Sequence, residues 1–180
     1  MHADQQSAIW TIGHSTHPLE KFVAMLHSFD IATLVDVRHY PGSRRYPQYN
    51  KEALTSSLQE QQIRYVHFEA LGGRRKPSPT SENTAWRLPA FRGYADYMET
   101  DAFKEAVETL QTVARETRTA YMCSEAVWWS CHRSLISDYL KVKEWNVMHI
   151  MDVGKAQPHR FTAPAQVIDG QLSYKPPLAF

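Results

Sequence analysis

"YMCSEAVWWSCHRSLISDYL", residues 121–140, decides the fold class of this chain. The apolar run "RTAYMCSE" (118–125) reads as a buried strand, and two tryptophans then make a loop. Residues 131–143 follow as a helix with Leu135, Ile136, Tyr139 and Leu140 on one inward face. A strand running through a short loop into an amphipathic helix is half of a βαβ unit. The helix also opens strangely, on Cys131, His132 and Arg133. Helix N-termini carry partial positive charge, so a cation in the first turn typically loses about 0.3–1 kcal/mol. Arg133 therefore calls for a negative partner, and Glu125, Asp36 or a bound anion could supply it.

Working outward, the same alternation repeats. "IWTIGHS" reads as a strand ending at Gly13, and a helix follows Pro18 with Leu19, Phe22, Val23 and Leu26 at helical spacing. "IATLVDVR" is a second strand, and "NKEALTSSLQEQQ" a helix with Asn50 as candidate N-cap. "IRYVHFEALGG" gives a third strand closing on glycines. "FRGYADYMET" and "DAFKEAVETLQTVARE" are helices, and "NVMHIMDV" is a fifth strand. "QVIDGQLSY" alternates around Asp169-Gly170, the signature of a two-residue hairpin. Between the third strand and the next helix, residues 72–91 are rich in Pro, Ser, Gly and Arg and show no periodicity. Loops of that length are commonly lids. The expectation is a single α/β domain over 1–180, with a mainly parallel sheet, helices on both faces in a three-layer Rossmann-like arrangement, a lid-like insertion at 72–91 and a small C-terminal hairpin.

A parallel sheet gathers its strand C-termini on one edge, and ligands bind in the crevice outside that edge. Reading those ends collects His14 and Ser15, Asp36 and Arg38, Gly72 and Gly73, and Cys123 and Glu125. Cys131, His132 and Arg133 join them at a helix start, where a thiolate or an anion is favoured. Each feature has a plainer reading beside it. Asp36 and Arg38, two apart on a strand, suit a structural ion pair; His14 suits a buried hydrogen-bonding role; either cysteine suits an inert core position.

Composition removes several classes. With 180 residues, 43% hydrophobic and net charge +1, one domain can bury its own core. No apolar run is long enough to span a bilayer, and "MHADQQSAIW" lacks the pattern of a signal peptide, so a cytoplasmic protein with no membrane partner is expected. Two cysteines cannot build a disulfide framework. The spacing of Cys123, Cys131 and His132 is not that of a standard zinc site, so no cofactor is expected, and zinc stays open only as a minor alternative. Neither a phosphate-cradling G-x-x-x-x-G-K-S/T nor a G-x-G-x-x-G follows a strand. Near-neutral charge disfavours non-specific nucleic-acid binding. Even so, basic residues cluster at Arg38, Arg44 and Arg45, at 74–76, and at Arg87 and Arg92. The last pair is interleaved with Trp86, Phe91, Tyr94 and Tyr97, which could stack on bases or simply pack a lid.

Taken as an ordered set, "TIGHS", "DVRHYPGS", "FEALGG", "YADYM", "MCSEAVWWSCHR" and "NVMHI" resemble the domain-of-unknown-function family 488 over most of the chain. That resemblance implies an α/β domain and a shared polar site. It would comprise His14, Ser15, Asp36, Arg38, Ser43, Gly72, Gly73, Cys123, Glu125, Cys131, His132 and Arg133. It implies no activity.

The reading that results is an enzyme acting on a small anionic ligand, phosphate-bearing or nucleotide-like, at the strand edge. Cys131 is the candidate nucleophile, and Glu125, Asp36 and His14 are the candidate acids or bases. Ser15, Arg38, Ser43, Gly72, Gly73, Cys123, His132, Arg133, Tyr94 and Tyr97 would bind substrate. A non-catalytic nucleic-acid or nucleotide-binding module, and a cysteine-based metal or redox site, are the alternatives. Oligomeric state is not encoded in any of these features.

Overall fold

The computed structural model describes residues 7–177. The signal-peptide reading rests partly on residues 1–6 and lies outside them. Among the described residues, eight strands and five α-helices alternate much as the periodicity requires: β1 (Ala8–Gly13), α1 (Leu19–His27), β2 (Thr33–Asp36), α2 (Lys51–Glu60), β3 (Arg64–His67), α3 (Pro89–Met98), α4 (Asp101–Glu116), β4 (Thr119–Cys123), α5 (Arg133–Val142), β5 (Asn146–Asp152), β6 (Lys155–Pro158), β7 (Gln166–Ile168) and β8 (Gln171–Ser173). The main sheet runs β3-β2-β4-β1-β5-β6, parallel except for β6, and β7-β8 forms a separate hairpin. Asp169 (φ 51°) and Gly170 (φ 75°) both take the left-handed conformation that a tight hairpin turn demands. Among the described residues no helix is long and apolar enough to cross a membrane.

Strands β2 and β4 are buried along their whole length, which is why they read as continuous apolar runs rather than alternating ones. Their two faces build two cores. Ile12, Leu34 and Met122 pack under α1 and α2, while Ile9, Val35 and Tyr121 pack under α3, α4 and α5. The result is three layers. Edge strand β6 had no distinct signal in the sequence. Asn50 occupies the N-cap position of α2, but its side chain makes no capping bond. Its Oδ1 instead accepts from Ser43 N at 2.6 Å, because the turn after β2 folds back over the helix start.

The 72–91 segment gives up its last three residues to α3, where Pro89 stands in the first turn. The remainder lies against that helix as a strap. Asp96 accepts from Ser78 N at 2.8 Å, Ser81 Oγ at 2.5 Å and Asn83 Nδ2 at 2.7 Å, and Arg75 lies 3.7 Å above the Tyr97 ring. Gly93 marks the crossing: a Cβ there would sit 2.1 Å from the Arg75 carbonyl.

Candidate functional site

β1 and β4 are neighbours whose chains leave in opposite directions, β1 through α1 on one face and β4 through α5 on the other. Such a divergence opens a crevice at the strand C-termini. The two loops are pinned together there, His14 N donating to Cys123 O at 3.0 Å and Ser15 N to Ser124 O at 2.9 Å. Gly13 makes the approach feasible, since a Cβ would stand 1.7 Å from the Glu125 carbonyl oxygen. Ser15 pays locally with φ 46°, a conformation uncommon for a non-glycine residue.

At this crevice Cys123 and Cys131 meet as free thiols, Sγ to Sγ 2.8 Å. Arg133 Nε donates to both sulfurs, at 3.1 and 3.2 Å, and Arg133 N approaches Cys131 Sγ at 3.4 Å. The guanidinium continues to Thr11 Oγ1 (3.2 Å) and to the Glu125 carbonyl oxygen (2.6 Å). It is 1% exposed. The Glu125 carboxylate, by contrast, belongs to an exposed residue and is not the partner of Arg133. Gly13 draws the backbone of this loop inward and leaves the side chain outside, so a carbonyl and two sulfurs take the place expected of the carboxylate.

The two thiols are driven apart in acidity. Burial pushes Cys123 well up, helped by its neighbour Cys131, so it keeps its proton. Burial alone would raise Cys131 too. The Cys123 hydrogen bond, the Arg133 charge and the nearby His132 outweigh it and carry Cys131 well below the ordinary thiol value.

Asp36 and Arg38 form a second buried unit. Arg38 Nε and Nη2 grip the carboxylate at 2.9 and 2.7 Å, Tyr65 Oη donates to it at 2.5 Å, and Arg38 Nη2 also reaches Tyr49 O. Asp36 is fully buried and does not line the crevice. His14 Nδ1 donates to Ser15 O, its Nε2 accepts from Arg38 Nη1 at 3.3 Å, and the ring stacks on Tyr49 at 4.2 Å. Burial pulls its pKa down to about 4, so it is a neutral, doubly engaged imidazole at neutral pH.

The crevice encloses about 700 Å³, and Cys131, Cys123, His14, Ser15, Arg38, Ser43, Gly73, Tyr94, Glu125 and His132 line it. Asp36, Gly72, Arg133 and Tyr97 stand behind that wall. Gly72 lies against His39, where a Cβ would come within 2.7 Å of the backbone, and Tyr97 Oη donates to Ala70 O. His132 Nε2 donates to Val37 O, which leaves Nδ1 as the acceptor beside Gly73. Tyr94 packs across that imidazole at 5.1 Å while donating to Leu71 O. Ser43 Oγ accepts from Arg45 N and Tyr46 N and so shapes its own turn. Sequence reading passed over Tyr40, Tyr46 and, as a site residue, Arg74, all of which line the crevice. "HYPGSRRY" after the second strand and "LGGRRK" after the third carry the signal for them. Arg74 is exposed at the mouth over the Tyr40 ring and makes no ion pair among the described residues. Among the described residues, no three His, Cys, Asp or Glu side chains are grouped to hold a metal ion.

The family model described as Domain of unknown function DUF488 matches residues 18–140. The match takes in Asp36, Arg38 and the Cys123–Arg133 segment and stops short of His14 and β5 on either side. No curated protein matches the chain, and no solved structure matches it.

Proposed function

The chain belongs to the DUF488 family, whose description names no reaction, and from the geometry of its own crevice we propose an enzyme that uses the Cys131 thiolate as nucleophile on an anionic, phosphate-bearing or nucleotide-like substrate. One observation carries the reading. Cys131 Sγ stands in the wall of an open crevice and accepts from a neighbouring thiol, a buried guanidinium and a helix N-terminal N–H, all of which favour the charged form. Cys123 keeps its proton and donates it to that sulfur. Arg133 neutralises the thiolate from behind. The substrate's negative groups would meet Arg74 at the mouth, since Arg38 is already matched by Asp36. His132 Nδ1 would accept a proton or a hydroxyl hydrogen bond from the substrate.

Paired alkylating probes test both halves at once. A free thiolate repels anionic iodoacetate, so an unfolded chain should react faster with neutral iodoacetamide. In the folded protein the rate ratio at Cys131 should shift toward iodoacetate by about tenfold, roughly 1.4 kcal/mol of anion preference. Arg74→Ala should remove that preference while leaving the iodoacetamide rate nearly unchanged. If Cys131 kept the ratio of the unfolded chain, the anionic substrate would be lost; if it reacted no faster than Cys123, so would the nucleophile.

The sulfur contact at 2.8 Å favours a second reading, thiol–disulfide exchange. Cys131 would displace one thiolate from a disulfide substrate. Cys123 would then displace the other, leaving a Cys123–Cys131 bond. A substrate disulfide that oxidises both cysteines without a lasting mixed adduct would select it.

A further inference from the structure

Behind the crevice a line of buried polar side chains runs from Arg133 at the start of α5, between that helix and the sheet, past Thr11 on β1 and His149 on β5, and back to Asp138 on α5. Arg133 Nη1 donates to Thr11 Oγ1 (3.2 Å), which meets His149 Nδ1 at 2.6 Å. His149 Nε2 meets His159 Nδ1 at 2.8 Å, and His159 Nε2 meets Asp138 Oδ1 at 2.8 Å. Thr11, His149 and Asp138 are fully buried and His159 is nearly so. Trp128 lies flat on the His149 ring, 4.5 Å between centroids, and closes the line from above. Thr162 N, Thr162 Oγ1 and Tyr174 Oη complete the shell of Asp138.

With one proton on each imidazole, the chemistry of the two ends fixes every proton between them. Guanidinium only donates, so Thr11 accepts from it, and the carboxylate at the other end, which only accepts, leaves His149 Nδ1 to take the Thr11 proton. His149 is then the Nε2–H tautomer and donates to His159 Nδ1. His159 is likewise Nε2–H and donates to the Asp138 carboxylate. All four bonds point the same way, an arrangement in which each bond strengthens the next. Burial, with the charge of Arg133 adding to it, holds His149 neutral.

We propose that Thr11, His149, His159 and Asp138 are positioning residues for the thiolate: they supply Arg133 with its counter-charge at a distance and hold its fork on the two sulfurs. This rests on the reading of Cys131 as a thiolate. A carboxylate touching Arg133 would compete with Cys131 for its charge. Three neutral groups placed between guanidinium and carboxylate satisfy the donor and leave the charge facing sulfur. None of the four residues touches the crevice, so their effect must pass through Arg133.

The experiment measures the pH midpoint of iodoacetamide labelling at Cys131 in the full chain. The groups facing that sulfur are Cys123 and Tyr121 on β4, His132 and Arg133 at the start of α5, and Tyr94 on α3. All stay constant in the variants. Thr11→Val keeps the shape and cuts the line, and the midpoint should rise by about one unit, a tenfold slower reaction below it. Thr11→Ser should return it to the wild-type value. Asp138→Asn is a second, independent cut. Simple removal of a nearby negative charge would lower the midpoint, whereas loss of Arg133 positioning raises it. A wild-type midpoint in Thr11→Val, or a lowered one in Asp138→Asn, overturns the proposal. The histidine tautomers separate this idea from the thiolate reading beneath it. Nitrogen NMR of the wild-type protein should show His149 and His159 each carrying its proton on Nε2, and any other tautomer breaks the line whatever Cys131 does. A wild-type midpoint at the free-thiol value would instead sink the thiolate while leaving that spectrum intact.

Discussion

Arg133→Met should cost the fold about 3–5 kcal/mol, the loss expected when one member of a buried, hydrogen-bonded charge cluster is removed. The side chain is 1% exposed, and methionine fills its volume while returning none of its bonds. Two sulfurs, Thr11 Oγ1 and the Glu125 carbonyl are left without their donor. Protonation of Cys131 relieves part of that cost, so the destabilised protein should also carry a far less acidic thiol. Arg133→Lys keeps the charge, but an ammonium cannot reach both sulfurs, a hydroxyl and a carbonyl with one planar fork, and most of the loss should remain. Glu125→Ala should change stability by no more than about 0.5 kcal/mol, because the carbonyl that Arg133 uses is backbone. Denaturant midpoints on the three variants decide it. A large loss in Glu125→Ala would restore the carboxylate as partner and contradict the geometry.

The second large effect belongs to Asp36→Asn. Its carboxylate accepts from Arg38 Nε and Nη2, the Arg38 backbone N–H and Tyr65 Oη, with no solvent contact. An amide replaces one acceptor oxygen by a donor that faces other donors and strands the Arg38 charge, again about 3–5 kcal/mol. Arg38→Met alone should cost as much by leaving the carboxylate unpaired. The double variant should cost clearly less than the two single losses added together, since neither orphan survives. Additive losses would mean that the two do not share one network. Arg38 lines the crevice, so Asp36→Asn, which leaves its charge unmatched, should also move the iodoacetate to iodoacetamide ratio at Cys131 further toward iodoacetate.

Much of this architecture is written in local pattern. The alternation of buried strands with helices, the Asp169-Gly170 turn and the helix that opens on Cys131-His132-Arg133 each follow from residues within one segment. What meets across segments depends on strand order, and nothing local says that β4 inserts between β1 and β2. That insertion brings Gly13 onto the Glu125 carbonyl and changes the partner of Arg133. Helix α5 buries more than its periodicity shows for a similar reason. Periodicity picked out Leu135, Ile136, Tyr139 and Leu140 as the inner face, yet Ser137 and Asp138 are buried as well. Tyr174 and Thr162 from the C-terminal segment cover that side, and such a cover leaves no mark on the helix itself. His149 lay inside a correctly read strand, but a histidine's partners are set by neighbouring strands and loops. Trp128 and Trp129 divide as two adjacent indoles must, one stacked on His149 and the other 54% exposed.

The central claim is that position and partners make Cys131 a thiolate while Cys123, 2.8 Å away, remains a thiol. Mass-spectrometric rates of iodoacetamide labelling at each cysteine of the wild-type protein, followed across pH, address it most directly. The account predicts that Cys131 reacts with a midpoint clearly below the roughly 8.5 of a free thiol and that Cys123 lags behind it throughout. Equal, slow labelling of both cysteines with a midpoint at or above about 8.5 would contradict it.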